Sequence, residues 1–146
     1  MAYQKILIAV DCGSFSLKAA KAGFDLAHAL NAEVALLYVI DRNKESVNIE
    51  AGPTREESEM ALLKEAQDTI RQIISMYNGT GKVYEFTPEG FPNEEILNIA
   101  KEWEADMIVM GTHGRTGLSH LFSGSVAEHV VHHACIPVMV IPPGIK

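Results

Sequence analysis

With 146 residues, 47% of them hydrophobic and 21% charged, the chain fits one domain with its own core and does not have the composition of a disordered segment. A formal net charge of −7 disfavours polyanions, so neither nucleic acid nor an anionic membrane is an expected partner; a phosphate ligand stays open, because backbone N–H groups and one Arg can build a local positive site. Cys12 and Cys135 have no metal-ligand spacing and read as reduced thiols; the first apolar stretch is too short for a signal sequence, no window nears the ~20 apolar residues of a membrane span, and the expectation is a soluble cytoplasmic protein.

Ile6–Val10 (ILIAV) is apolar without alternation, which predicts a strand buried on both faces. Leu17, Ala20, Phe24, Ala27 and Leu30 then recur at helical spacing over about residues 14–30, with Asn31 as the stop. Glu33–Ile40 (EVALLYVI) predicts a second buried strand. Residues 41–53 are polar and aperiodic, a long loop of the kind that often carries function. Thr54 and Glu57 form a capping pair for a helix through Leu62, Ala66, Ile70 and Ile74, which Asn78, Gly79 and Gly81 end. Val83–Phe86 predicts a short strand at a sheet edge. Pro92 and Asn93 precede a predicted helix over Glu94–Trp103, and Met107–Met110 predicts a fourth strand. A last helix over about 119–134 leads to a fifth strand, Val138–Ile141. Regular β-α alternation predicts one α/β domain over residues 1–146: a parallel sheet with helices on both faces, joined by right-handed crossovers.

Ligands of open α/β sheets bind beyond the carboxyl ends of the strands, where strand order reverses. Two such ends carry unusual residues: Asp11 after the first strand, and Gly111-Thr112-His113-Gly114-Arg115-Thr116-Gly117 after the fourth. Glycines there let several N–H donors converge on one anion, and Gly124-Ser125 follow just ahead of an amphipathic stretch. Ser125 adds a hydroxyl, the N–H groups of Val126 and Ala127 are free where a helix begins, and Arg115 is a nearby cation. The combination suits a polyphosphate. From spacing alone, a plain helix entry in which the glycines make turns and Ser125 caps fits equally well.

The segment GTHGRTGLSHLFSGSVAEHVVHHACIPVMVI resembles the C-terminal signature of universal stress proteins, whose ATP-binding branch carries Gly-x2-Gly-x9-Gly-Ser/Thr. Gly111, Gly114, Gly124 and Ser125 match that spacing without insertion, and KILIAVD and LLYVI extend the likeness over nearly the whole chain. The resemblance implies a five-stranded sheet in order 3-2-1-4-5 with ATP across the ends of strands one and four. It implies a nucleotide site of Ala9, Val10, Asp11, Val39, Met110, Gly111 to Gly117, Gly124, Ser125, Val126 and Ala127. In it Asp11 meets the ribose or adenine side, Ala9 and Val39 meet adenine through backbone, and the glycine segment with Ser125–Ala127 holds ribose and phosphates. Where many members have Asp-x-Ser, this chain has Asp11-Cys12-Gly13; Ser16 matches a later serine of the family.

Other chemistries fit less well. A receiver-type phosphoacceptor at Asp11 needs an Asp ending the third strand and a Lys ending the fifth, where the chain has Phe86-Thr87-Pro88 and Ile141-Pro142. Residues 12–16 form only a thin version of a flavodoxin phosphate loop, and no P-loop lysine is present. His129 and His133 stand four apart, as zinc ligands can, but without an evident third ligand they read as a solvated helix face. His113 has no identifiable orienting carboxylate for acid–base work. Cys12 reads as a small buried residue ahead of a redox thiol, Trp103 and Phe24 as core, and Glu56, Glu57 and Glu59 as a solvated helix start.

The expected function is therefore a nucleotide-dependent regulatory, stress-response protein that binds ATP with Mg²⁺ or Mn²⁺ on the phosphates. In it ATP stabilises one conformation of loops 41–53 and 111–125 for protein partners to read. Slow ATP hydrolysis and a nucleotide-independent dimeric interaction module are the alternatives. The apolar fifth strand, 137–141, is expected at a sheet edge with nothing to cover it, which predicts antiparallel pairing with its own copy in a homodimer.

Overall fold

In a computed structural model, residues 2–11, 13–41, 55–77, 79, 81–112 and 125–142 are described. They form β1 (Lys5–Val10), α1 (Ser14–Leu30), β2 (Glu33–Tyr38), α2 (Arg55–Ile74), β3 (Val83–Phe86), α3 (Pro92–Glu102), β4 (Met107–Gly111), α4 (Ser125–His133) and β5 (Val138–Ile141). All five strands are parallel, in the order β3-β2-β1-β4-β5. β1 is central, with Ala9 level with Leu37 of β2 on one side and Met110 of β4 on the other.

Period-2 geometry sorts the strand side chains between two cores. Ile6, Ile8 and Val10 of β1, Val34, Leu36 and Tyr38 of β2, and Val109 of β4 face one layer, where Ala20, Phe24 and Ala27 of α1 and Ala66, Ile70 and Ile73 of α2 cover them. Leu7, Ala35, Leu37, Ile108 and Met110 face the other, under Ile96, Ile99 and Ala100 of α3 and Ala127 and Val130 of α4. Burial on both faces is why the strand sequences are unbroken apolar runs. At the outer strands, Val83–Phe86 and Val138–Ile141 contain no fully buried residue, as sheet edges.

Local boundaries follow backbone chemistry. Asn31 closes α1 in the left-handed conformation (φ 55°), its N–H reaching the carbonyls of Ala27 and His28. β2 stops at Tyr38, two residues earlier than predicted: Ile40 instead donates its N–H to Pro88 O (2.8 Å), accepts from Gly90 N (3.0 Å) and forms an isolated bridge with Glu89. α3 begins at Pro92, not after it, since a proline at the first helical position loses only an N–H that has no helical partner. Trp103 caps α3 rather than lying within it, and its ring packs 5.8 Å from Tyr84 and 6.4 Å from Phe86. α4 begins at Ser125 among the described residues; the earlier part of its predicted span, the Thr54 cap and most of loop 41–53 lie outside them.

Two contacts set the position of α1 and the two central strands. Asp106 accepts the N–H groups of Gln4 (2.8 Å) and Lys5 (2.9 Å) on one carboxylate oxygen while donating its own N–H to Lys5 O (2.7 Å), which locks the starts of β1 and β4 together. Gly23 lets α1 lie directly on β1, because a Cβ there would stand 2.5 Å from Ile8 Cδ1 and 2.7 Å from its Cγ1. Among the described residues no helix is long and apolar enough to cross a membrane.

Candidate functional site

The chain leaves β1 through α1 towards β2 on one side, while β4 lies on the other, so strand order reverses between β1 and β4. The carboxyl ends of these two strands are the place where such sheets take ligands. Of the residues expected there, Ala9 and Met110 are direct register partners, and Ala9, Val39, Met110, Val126 and Ala127 share one apolar cluster that joins the ends of β1, β2 and β4 to the first turn of α4. Val10 turns its side chain into the opposite core, so only its backbone faces this end of the sheet in common with its neighbours. Gly111 ends β4, level with Ile141 of β5.

Among the described residues α4 opens with Ser125 exposed and Ala127 packed inward, at the same end of the sheet. The amino end of a helix carries partial positive charge and can donate N–H groups to an anion. Past β4, Thr112 gives its N–H to Ile141 O (3.1 Å), extending the sheet pairing, so this amide is held by β5. His113, Gly114, Arg115, Thr116, Gly117 and Gly124 lie outside the described residues.

Asp11 is half-buried just past β1, and its carboxylate is held by its own loop. Oδ1 accepts the Gly13 N–H (2.9 Å) and the Ser16 hydroxyl (2.8 Å), and the Ser16 Oγ in turn accepts the Asp11 N–H (2.7 Å). Gly13 thus contributes a main-chain donor, and the hydroxyl comes from Ser16 in the first turn of α1. Ser16 was visible in the sequence as a match without a role; what marks it is a hydroxyl five residues beyond a strand-ending aspartate.

The remaining candidates are elsewhere. On α4 the rings of His129 and His133 stack at 4.2 Å, and His133 Nδ1 lies 2.8 Å from His129 O, while His132 and His133 are exposed. Among the described residues no three His, Cys, Asp or Glu side chains gather as a metal site. Cys135 is an exposed free thiol, and Cys12 lies outside the described residues. A groove of about 400 Å³ at the opposite end of the sheet is lined by His28, Asn31, Glu33, Tyr77, Lys82 and Tyr84 among others. Its charged and amide side chains are solvent-exposed, and it lies at the amino ends of β2 and β3, so it has no buried polar group converging on a ligand.

Comparison with known proteins agrees with the fold. A sequence model of the universal stress protein family matches residues 2–142. Universal stress protein MJ0531 of Methanocaldococcus jannaschii is 38% identical over 140 residues, which cover 95% of this chain and 82% of that protein. Universal stress protein MJ0577 of the same organism is 32% identical over 95% of this chain and 94% of its own. The solved structure of MJ0577 superposes over 100% of both chains with a TM-score of 0.83. A universal stress protein solved in complex with cAMP, 22% identical, shares the fold with a TM-score of 0.67 over 99% of this chain and 100% of its own. With the strand order, the topology and the match over nearly its full length in agreement, the chain belongs to the universal stress protein family.

Proposed function

We propose that this chain is an ATP-binding member of its family, a nucleotide-dependent regulatory protein of the stress response acting in the cytoplasm. One observation carries the reading: strand order reverses between β1 and β4, and at that end Ala9, Val39, Met110, Val126 and Ala127 belong to or pack on the same apolar layer, with the Asp11 carboxylate just past β1. An apolar floor suits a purine. The two polar ends differ in sign, which orients the nucleotide: a carboxylate repels phosphate and accepts from ribose hydroxyls or an adenine amine, whereas the helix end favours phosphate. The spacing of Gly111, Gly114, Gly124 and Ser125 supports the same assignment, with Arg115 as the cation of the phosphate end. The family member solved with cAMP holds an adenine nucleotide on this fold.

Mg²⁺ or Mn²⁺ would be held chiefly by phosphate oxygens, as these hard cations commonly are. The half-buried apolar strand β5 at the sheet edge supports a homodimer paired through residues 137–141. Isothermal titration of ATP and ADP with Mg²⁺ or Mn²⁺ tests the reading. Saturable binding with one site per chain and a Kd below about 1 mM supports it, and no heat in that range removes it. Release of phosphate above background, lost in Gly114→Val or Ser125→Glu, would add a slow ATPase; ATP retained intact for hours would leave a binding protein.

A further inference from the structure

We propose that Ser16 is a positioning residue for the nucleotide: it fixes the Asp11 carboxylate so that one oxygen is saturated within the loop and the other is presented to the nucleoside. The inference takes its ligand from the reading above and goes beyond it by assigning a role to a side chain that itself touches no nucleotide.

Ser16 is 6% exposed and is the one buried polar side chain among the described residues. A buried hydroxyl needs partners, and both of its own lie on Asp11. Because the Asp11 N–H (2.7 Å) can only donate, Oγ is the acceptor of that bond, and its single hydrogen is left for Asp11 Oδ1 (2.8 Å). The direction of both bonds is thereby determined. With the Gly13 N–H (2.9 Å) also on Oδ1, this oxygen holds two donors, whereas Oδ2 takes none from the described residues. A carboxylate oxygen with no donor among the described residues, half-buried at the carboxyl end of the central strand, is an acceptor for an N–H or O–H of the ligand.

Ser16 is suited to this because it is anchored in a helix rather than in the loop. It lies in the first turn of α1, where its N–H is bound to Gly13 O (3.1 Å), and α1 is seated on β1 through Gly23. A serine hydroxyl at position 13 would sit on the loop itself. Without the Ser16 hydroxyl, Asp11 keeps one donor on Oδ1 and its own N–H loses an acceptor, so the carboxylate samples other rotamers. Apparent affinity then falls by the fraction of molecules in the competent rotamer.

The test compares wild type, Ser16→Ala, Ser16→Thr, Asp11→Ala and the Asp11→Ala/Ser16→Ala pair by calorimetry with MgATP and with Mg-tripolyphosphate. Ser16→Ala should weaken ATP roughly tenfold, which corresponds to losing about 1.4 kcal/mol, and leave tripolyphosphate unchanged, because the phosphates sit at α4. Ser16→Thr should restore binding, and Ser16→Ala should cost nothing further once Asp11 is Ala. Equal losses for both ligands would mean a structural defect and overturn the proposal, as would wild-type ATP affinity in Ser16→Ala or additive losses in the pair. Side-chain scalar couplings of Asp11, measured by NMR in the wild type without ligand, separate this proposal from the nucleotide reading. Should wild type bind no ATP, the nucleotide reading falls, while a single Asp11 χ1 rotamer that becomes averaged in Ser16→Ala still supports positioning. An averaged rotamer in the wild type overturns it.

Discussion

Gly23→Ala tests whether the seating of α1 on the central strand is as close as described. An added Cβ would stand 2.5 Å from Ile8 Cδ1 and 2.7 Å from Cγ1, with Val109 Cγ1 at 3.6 Å behind it. Ile8 is fully buried, so its side chain cannot swing into solvent. Overpacking of this kind costs about 1–3 kcal/mol. Replacing a helical glycine by alanine returns up to about 1 kcal/mol of helix propensity. The expected net loss is about 0–2 kcal/mol, or a fall in Tm of up to roughly 8 °C at this chain length. Thermal and urea unfolding of the wild type, Gly23→Ala, Ile8→Val and the double variant give the answer. Ile8→Val alone should cost about 0.5–1.5 kcal/mol, yet in the Gly23→Ala background it should cost little or stabilise, since it removes the nearer of the two overlapping atoms. A Gly23→Ala protein more stable than wild type, or two losses that add within about 0.5 kcal/mol, would refute the close seating.

Ser125→Glu should weaken ATP at least about tenfold through charge repulsion at the phosphate end, while unfolding shows stability unchanged or raised by about 0.3–1 kcal/mol, as an acid in the first turn of a helix is favourable. Asp106→Ala should cost about 0.5–1.5 kcal/mol, chiefly through the part-buried Lys5 N–H since the exposed Gln4 N–H can turn to water, and Asp106→Asn, which keeps an acceptor, less, both read from urea denaturation. Native mass spectrometry of protein purified without added nucleotide should show two chains per particle; a monomer at micromolar concentration would remove the β5 pairing.

Much of the fold could be read from residue pattern because each central strand is buried on both faces. Ile6–Val10 and Met107–Met110 are therefore apolar runs of strand length, and the stretches between them carry helical spacing. Neighbour order is different. β-α alternation prescribes crossovers but not which strand lies beside which, and the order 3-2-1-4-5 entered through a likeness of motifs. Boundaries slipped where a short-range rule met tertiary structure: Val39 and Ile40 are as apolar as the strand before them, but the ladder ends at Tyr38 and Ile40 pairs with the Pro88–Gly90 turn.

The site was legible in its residue types and less so in its bonding. Asp11 and Ser125 stand out by position, and Ala9 and Met110 are brought together by register, with Val39 packed on the same apolar layer. That Thr112 spends its amide on β5, and that Ser16 clamps Asp11, depends on distances between strand ends and helix starts that spacing does not encode. Ser16 and Asp11 are five residues apart, and a hydroxyl at that separation reaches back only when a helix starts directly after the strand.

Amide hydrogen exchange resolved by residue, with and without saturating MgATP, tests the central claim most directly. With α4 opening at Ser125 in the proposed site, the N–H groups of Ser125, Val126 and Ala127 should exchange fast in the free protein. The account predicts that MgATP slows them by about tenfold or more, together with Asp11 and its loop. Unchanged exchange at these amides under saturating nucleotide, or protection appearing instead around His28, Tyr77 and Lys82 at the other end of the sheet, would contradict it.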